Sequence, residues 1–166
     1  MHVNIEPMKI CHLERVVAIE QEVYPSPWSK NAFINELMDN GFASYWVAMV
    51  DEQVVGYAGI WTIMDEAHLT TLAVCCRWQE RGVGSLLLEH LLVNAKTLGA
   101  MRITLEVRVS NNKAQKLYKK YGFLSSGLRP NYYHDEDALV MWLDNLPPQS
   151  GSKSLEGHLK MGEKDV

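Results

Sequence analysis

Residues 79–85 read QERGVGS, between the β-branched run LTTLAV (69–74) and the leucine-rich run LLLEHLL (86–92). A strand, a short glycine loop and a helix are the parts of an anion site. The helix start exposes backbone N–H groups, and glycine, lacking Cβ, lets a ligand reach them. Gly82 and Gly84, with the fixed charge of Arg81 beside them, are the first candidates for chemistry, although the same spacing also serves a plain strand-to-helix turn. Of two common phosphate cradles, one fails and the other is only weakly matched. A Walker loop needs a lysine after its glycines and none follows, and the dinucleotide pattern GxGxxG requires glycine where this chain has Leu87.

Two proton carriers lie downstream. Glu106 falls between Leu105 and Val107 in ITLEVRV (103–109), a strand pattern in which an unpaired carboxylate is costly. It is a candidate general base, or else it faces outward and pairs with Arg108. Tyr118, in AQKLYKKYGF (114–123), carries a phenol that is uncharged at neutral pH and can donate a proton, or it simply packs with Leu117 and Tyr121. Asn111 stands where a helix N-cap is expected. His68 and His90 have no HxxxH or CxxC companion, so the pattern calls for no metal.

The elements that must position these groups follow from periodicity. Residues 3–6 read as a strand and Met8 to Gln21 as a helix broken by YPSPW (24–28). A second helix runs from the N-cap Ser29 to about Asp39, followed by strands at 45–50, 54–64 and 67–75. A helix from Gly82 to Leu98 stops at Gly99; then come strand 103–109, helix 111–121 and strands 122–128 and 138–143. The order is βααβββαβαββ, an α/β class. The expected domain is 1–144, with 145–166 a flexible tail because apolar periodicity gives way to Pro, Gly, Ser and charge.

Composition narrows the class further. The chain has 166 residues, 47% of them apolar, enough for one core, and a formal charge of −4, which argues against direct nucleic-acid binding. Three cysteines, two of them adjacent, imply no disulfide framework and a reducing, cytoplasmic setting, with all three expected to be buried. No run of about 18 uncharged apolar residues is present, so no membrane span is expected.

Taken together, QxxGxG after LAV, LEVRVSN (105–111) and AQKLYKKYGF resemble the GNAT superfamily of acyl-CoA-dependent N-acyltransferases, over most of residues 3–143. PSPWS (25–29), FINEL (33–37) and RPNYYHDEDALVM (129–141) resemble more narrowly its RimI-type branch, which acetylates the N-terminal alanine of a small-subunit ribosomal protein. The resemblance implies a GNAT fold, a mixed, mostly antiparallel sheet flanked by helices. It also implies acetyl-CoA as co-substrate, its pyrophosphate cradled by the QxxGxG loop, with Leu72, Ala73, Val74, Glu80, Arg81, Gly82, Val83, Gly84 and Ser85 contacting it and Asn111 hydrogen-bonding it. Glu106 is implied as proton acceptor, Tyr118 as proton donor, and a backbone N–H freed by a bulge in the strand ending at Leu72 to Val74 as the oxyanion donor.

Tyr24, Trp28, Arg129, Tyr132 and Tyr133 are the candidates for acceptor recognition, and Asp135-Glu136-Asp137 either suits a basic peptide or is a solvated turn. The resemblance departs at CCRW (75–78), where the family often turns with Asp-Pro. The alternatives are a GNAT acting on other protein N-termini or a small amine, and a non-catalytic CoA-binding module. Oligomeric state is not legible.

Overall fold

The structure, a computed structural model, describes residues 2–146; the expected tail of 145–166 lies outside them beyond Leu146, but Leu146 itself belongs to the domain, its side chain buried in the core and its N–H donating to the Met101 carbonyl at 2.7 Å. Its elements are β1 (Asn4–Pro7), α1 (Leu13–Val23), α2 (Lys30–Met38), β2 (Ala43–Val50), β3 (Gln53–Ile63), β4 (Glu66–Val74), α3 (Val83–Thr97), β5 (Arg102–Arg108), α4 (Asn112–Lys120), β6 (Leu124–Arg129) and β7 (Ala138–Leu143). This is the order expected from periodicity, with two 3-10 turns added at Ile10–His12 and Cys76–Trp78.

Local signals account for most boundaries. Ser29 caps α2, its Oγ accepting the Ala32 N–H at 3.1 Å. Gly99, at φ +99, ends α3 in a left-handed conformation that other residues rarely adopt. Asp51 and Glu52 both take positive φ, 47° and 64°, which gives the two-residue β2–β3 turn the twist that matches its strands.

One seven-stranded sheet runs β1-β2-β3-β4-β5-β7-β6. Neighbours are antiparallel except β4 and β5, which are parallel and joined through α3. Alternation along β3 assigns the two faces. A Cβ at Gly56 would meet Leu87 of α3, whereas the next residue, Tyr57, hydrogen-bonds Glu20 of α1 and stands edge-on to Phe33 of α2. Thus α3 covers one face with Leu87, Leu88, Leu91 and Leu92, and α1 with α2 covers the other with Val16, Ile19 and Phe33, all fully or almost fully buried.

The site is made by a failure of pairing. Strands β4 and β5 pair from Glu66↔Arg102 to Leu69↔Leu105 and then part, although β4 continues to Val74 and β5 to Arg108. At that point β4 also carries a bulge: Gly59 pairs with Thr71 and Ile60 with Leu69, leaving Thr70 extra. Past Leu69, the β5 side of β4 offers backbone groups to a ligand instead of to a strand.

Candidate active site

Two cavities meet where the strands part. The larger, about 950 Å³, lies between β4, the loop before α3, and α4. The smaller, about 120 Å³, lies between the α1–α2 loop, β4, β5 and Tyr133. Tyr24, Leu72, Asn111 and Ala114 line both.

Glycine conformation shapes the wall of the larger cavity. Gly82 caps α3 at φ +85, preceded by Glu80 at φ +60, so the chain turns sharply into the helix and leaves its first N–H groups without intrahelical partners. Gln79 ties this loop to its strand, its Nε2 donating to the Val74 carbonyl at 2.9 Å. The CCRW segment makes the entry turn as one 3-10 turn, with the Cys75 N–H donating to the Val55 carbonyl and the Cys76 N–H to Glu22. Cys75 is buried as expected, but Cys11 and Cys76 are exposed, and all three are free thiols.

Of the residues implied to hold the co-substrate, Leu72, Ala73, Val74, Glu80, Gly82, Gly84, Ser85 and Asn111 line the cavity. Val83 does not: its side chain is buried in the core, where it anchors the helix, so it can offer only its backbone. Arg81 is also displaced from its expected place, its guanidinium lying 5.1 Å from the Trp78 ring centroid and outside the lining. Positive charge comes instead from Lys113, Lys116, Lys119 and Lys120 of α4, which the sequence reading missed. Their i, i+3, i+7 spacing was the available signal, placing Lys113, Lys116 and Lys120 on one helix face.

Glu106 is central to the smaller cavity. The β5 strand alternates, burying Ile103, Leu105 and Val107 on one face and turning Thr104, Glu106 and Arg108 to the other. The Glu106 side chain is only 6% exposed, and its Oε2 lies 2.5 Å from His68 Nε2 while Oε1 lies 3.5 Å from Arg129 Nη1. Burial pushes its carboxyl up, but the hydrogen bond and charge of His68, together with Arg129, outweigh burial and hold it below the ordinary value. The pairing of Glu106 with Arg108 left open by the sequence does not occur; Arg108 pairs with Asp135 and Glu136. His68 was missed because it lies on β4, 38 residues away, and meets Glu106 only through the parallel register that sets His68 beside Thr104.

Tyr118 lines the same cavity, its ring tilted against Phe123. Burial pushes its phenol well above the ordinary value, with Tyr24 and Tyr133 adding to the effect, so it stays protonated. Asn111 caps α4, its Oδ1 accepting the Ala114 N–H at 3.2 Å, while lining both cavities. Tyr24 donates to the Leu72 carbonyl at 2.6 Å.

The Trp28 N–H donates to the buried carboxylate of Glu20, which Tyr57 also bonds, and the Trp28 ring packs on Phe33. Tyr133 donates to the Glu106 carbonyl at 3.2 Å and stands edge-on to Tyr132, whose ring lies 5.8 Å from the Arg129 guanidinium carbon. Asp135, Glu136 and Asp137 are more than a solvated turn: each is bonded within the protein, to Arg108, Ser110 and Asn131. His90 is half-buried against the Trp46 ring. Among the described residues no three His, Cys, Asp or Glu gather as a metal site, and no helix is long and apolar enough to cross a membrane.

A strand-bulge cleft entered by a glycine-started helix, with a buried carboxylate beyond it, can hold an anionic ligand beside a proton acceptor. The Acetyltransferase (GNAT) family profile matches residues 13–123, and the chain belongs to that family. It is an acetyltransferase that takes its acetyl group from acetyl-CoA.

Among its relatives, a Bacillus subtilis protein provisionally named a [ribosomal protein bS18]-alanine N-acetyltransferase is 40% identical over 141 residues, 84% of this chain and 93% of that one. The Salmonella typhimurium [ribosomal protein bS18]-alanine N-acetyltransferase is 36% identical over 129 residues, 75% of this chain and 86% of its own. The crystal structure of the Escherichia coli ribosomal-protein-S18-alanine N-acetyltransferase superposes with a TM-score of 0.79 at 30% identity, covering 92% of this chain and 98% of that one. The site suits acetyl-CoA: glycine-opened backbone N–H groups and lysines face a cavity of about 950 Å³.

Proposed function

We propose that the chain transfers acetyl from acetyl-CoA to the N-terminal α-amine of a small-subunit ribosomal protein, bS18, at its alanine. The observation that carries this reading is the small cavity, about 120 Å³, with Glu106 and Tyr118 in its lining. A pocket of that size favours a small terminal residue over a long lysine side chain. The bS18-alanine activity in the names of the Bacillus, Salmonella and Escherichia relatives gives the acceptor.

Bound in the larger cavity, acetyl-CoA supplies an activated acetyl thioester. Glu106 takes the proton released as the amine nitrogen bonds the acetyl carbon, directly or through one water. Its depressed pKa keeps it ionised, and His68 and Arg129 orient its two oxygens. As the carbon–sulfur bond breaks, Tyr118 gives its phenolic proton to the thiolate. A backbone N–H of β4 near the Thr70 bulge, past the last pair with β5, stabilises negative charge on the carbonyl oxygen. Gly82, Gly84, Ser85 and the α4 lysines hold the phosphates, while Tyr24, Trp28 and Tyr133 line the acceptor's cavity and Arg129 and Tyr132, outside that lining, stand beside Glu106 and Tyr133. The free thiols support a cytoplasmic setting.

The test is a panel of short peptides with free α-amines, beginning with alanine, serine, glycine or leucine, and with internal lysines, incubated with acetyl-CoA and read by mass spectrometry. Acetylation of the alanine terminus foremost is expected. Acetylation confined to lysine side chains would overturn the reading.

A further inference from the structure

Arg108 has no part in the steps above, yet it is among the best-held cations in the described chain. It follows Glu106 by two residues on the same strand face, and its side chain is 10% exposed. Its Nη1 donates to Asp135 Oδ1 at 3.0 Å and Glu136 Oε1 at 3.2 Å, and its guanidinium carbon lies 4.4 Å from the Tyr133 ring centroid. The other Glu136 oxygen accepts the Ser110 N–H at 2.7 Å, and Asp137 Oδ1 accepts the Asn131 N–H at 2.9 Å. Tyr133 closes the circuit, its N–H donating to the Glu136 carbonyl at 3.1 Å and its hydroxyl to the carbonyl of Glu106 at 3.2 Å.

These bonds hold a loop that has little else to hold it. Residues 130–137 contribute no fully buried side chain, and Asn131 and His134 both take positive φ, 54° and 66°. A segment with no apolar anchor and two non-glycine residues in the left-handed region keeps one conformation only where polar contacts impose it. Charge-assisted hydrogen bonds from a planar guanidinium are strong and directional enough to do so.

We propose that Arg108 is a positioning residue for the acceptor: by gripping Asp135, Glu136 and the Tyr133 ring it fixes the β6–β7 loop as one wall of the pocket beside Glu106. The acidic run thus serves as the loop's internal fastening. This rests on the acceptor-side assignment made under Proposed function, and its test separates the two.

Arg108→Gln and Arg108→Lys are assayed with an alanine-terminated peptide and acetyl-CoA, and amide hydrogen exchange is followed in parallel. For Arg108→Gln the peptide KM is expected to rise about tenfold, the change carried by one hydrogen bond to a charged group. The kcat should fall less and the acetyl-CoA KM stay within twofold, a split that general destabilisation would not produce. The Asn131 and Tyr133 amides exchange faster than in the parent protein, while the β5 amides do not. Arg108→Lys recovers part of the peptide KM, and it carries the test alone if Arg108→Gln fails to fold. An unchanged peptide KM overturns the proposal, whether or not the loop loosens. Equal losses in both substrates' KM values also overturn it. If the parent protein acetylates no peptide terminus, the proposed function fails, while unchanged exchange in the loop would still refute the clamp by itself.

Discussion

The two cavities are walled by different materials. The larger is built of short-range sequence: residues between 72 and 85, from β4 through the glycine-opened loop into α3, and residues of α4. The smaller is built of side chains brought from afar, Glu20 and Trp28 before β2, Thr70 on β4, Glu106 on β5 with its partner His68, and Tyr133 after β6. The glycine loop in the larger cavity's wall makes its contacts by conformation, so it is most sensitive where φ is positive. A side-chain wall depends on each group's charge and partner. Substitutions on the two sides should therefore fail differently.

The largest effect is expected on the backbone side. Gly82→Val places a β-branched residue at φ +85 and should weaken acetyl-CoA binding at least a hundredfold by calorimetry; binding within tenfold of the parent would refute the cradle. On the side-chain side, Glu106→Gln should lower kcat by about 10²-fold, the range of general-base contributions, while the acetyl-CoA Kd moves less than twofold. Normal turnover would remove Glu106 as base.

His68→Ala sharpens that assignment through pH. The folded Glu106 pKa is depressed because His68 and Arg129 outweigh burial; without His68, burial regains ground and the pKa rises. The acidic limb of kcat should accordingly move to higher pH, and an unmoved limb would exclude His68 from orienting the base. Tyr118→Phe should reduce kcat about tenfold or more with little change in either KM, and full activity would assign Tyr118 to packing alone. The smallest effect belongs to the α4 lysines: Lys116→Glu should raise the acetyl-CoA Kd several-fold, on the order of 1 kcal/mol, and less at high salt because exposed charges are screened. A salt-independent loss would point to packing instead.

The same division explains what could be read before the fold was known. The element order and the glycine loop were legible because their signals are local: alternation in β5, a cap at Ser29, a positive-φ stop at Gly99, GxG at a helix start. Glu106 stood out as a charge in an apolar strand, but its partner did not. Arg108, two residues away on the same face, looked the natural choice, whereas the parallel β4–β5 register delivered His68. Arg81 departs from its expected place for a related reason. A cation beside a phosphate loop reads as a ligand, yet Trp78, three residues earlier, offers its guanidinium an aromatic face. The cysteines failed differently, since composition reports an average preference for burial and cannot tell Cys75 from its exposed neighbour Cys76. The acidic run could not be interpreted without knowing that Arg108 lies beneath it.

The partition shared by both cavities carries a thermodynamic consequence. Tyr24 and Leu72, joined by a 2.6 Å hydrogen bond, together with Asn111 and Ala114, line both cavities. Any shift of that partition on filling one chamber is felt in the other, and linkage makes the coupling reciprocal: the factor by which acetyl-CoA changes peptide affinity equals the factor by which peptide changes acetyl-CoA affinity. With the acetyl group passing straight across, initial-rate lines at varied peptide should intersect, and parallel lines would reveal an acetylated protein between two half-reactions.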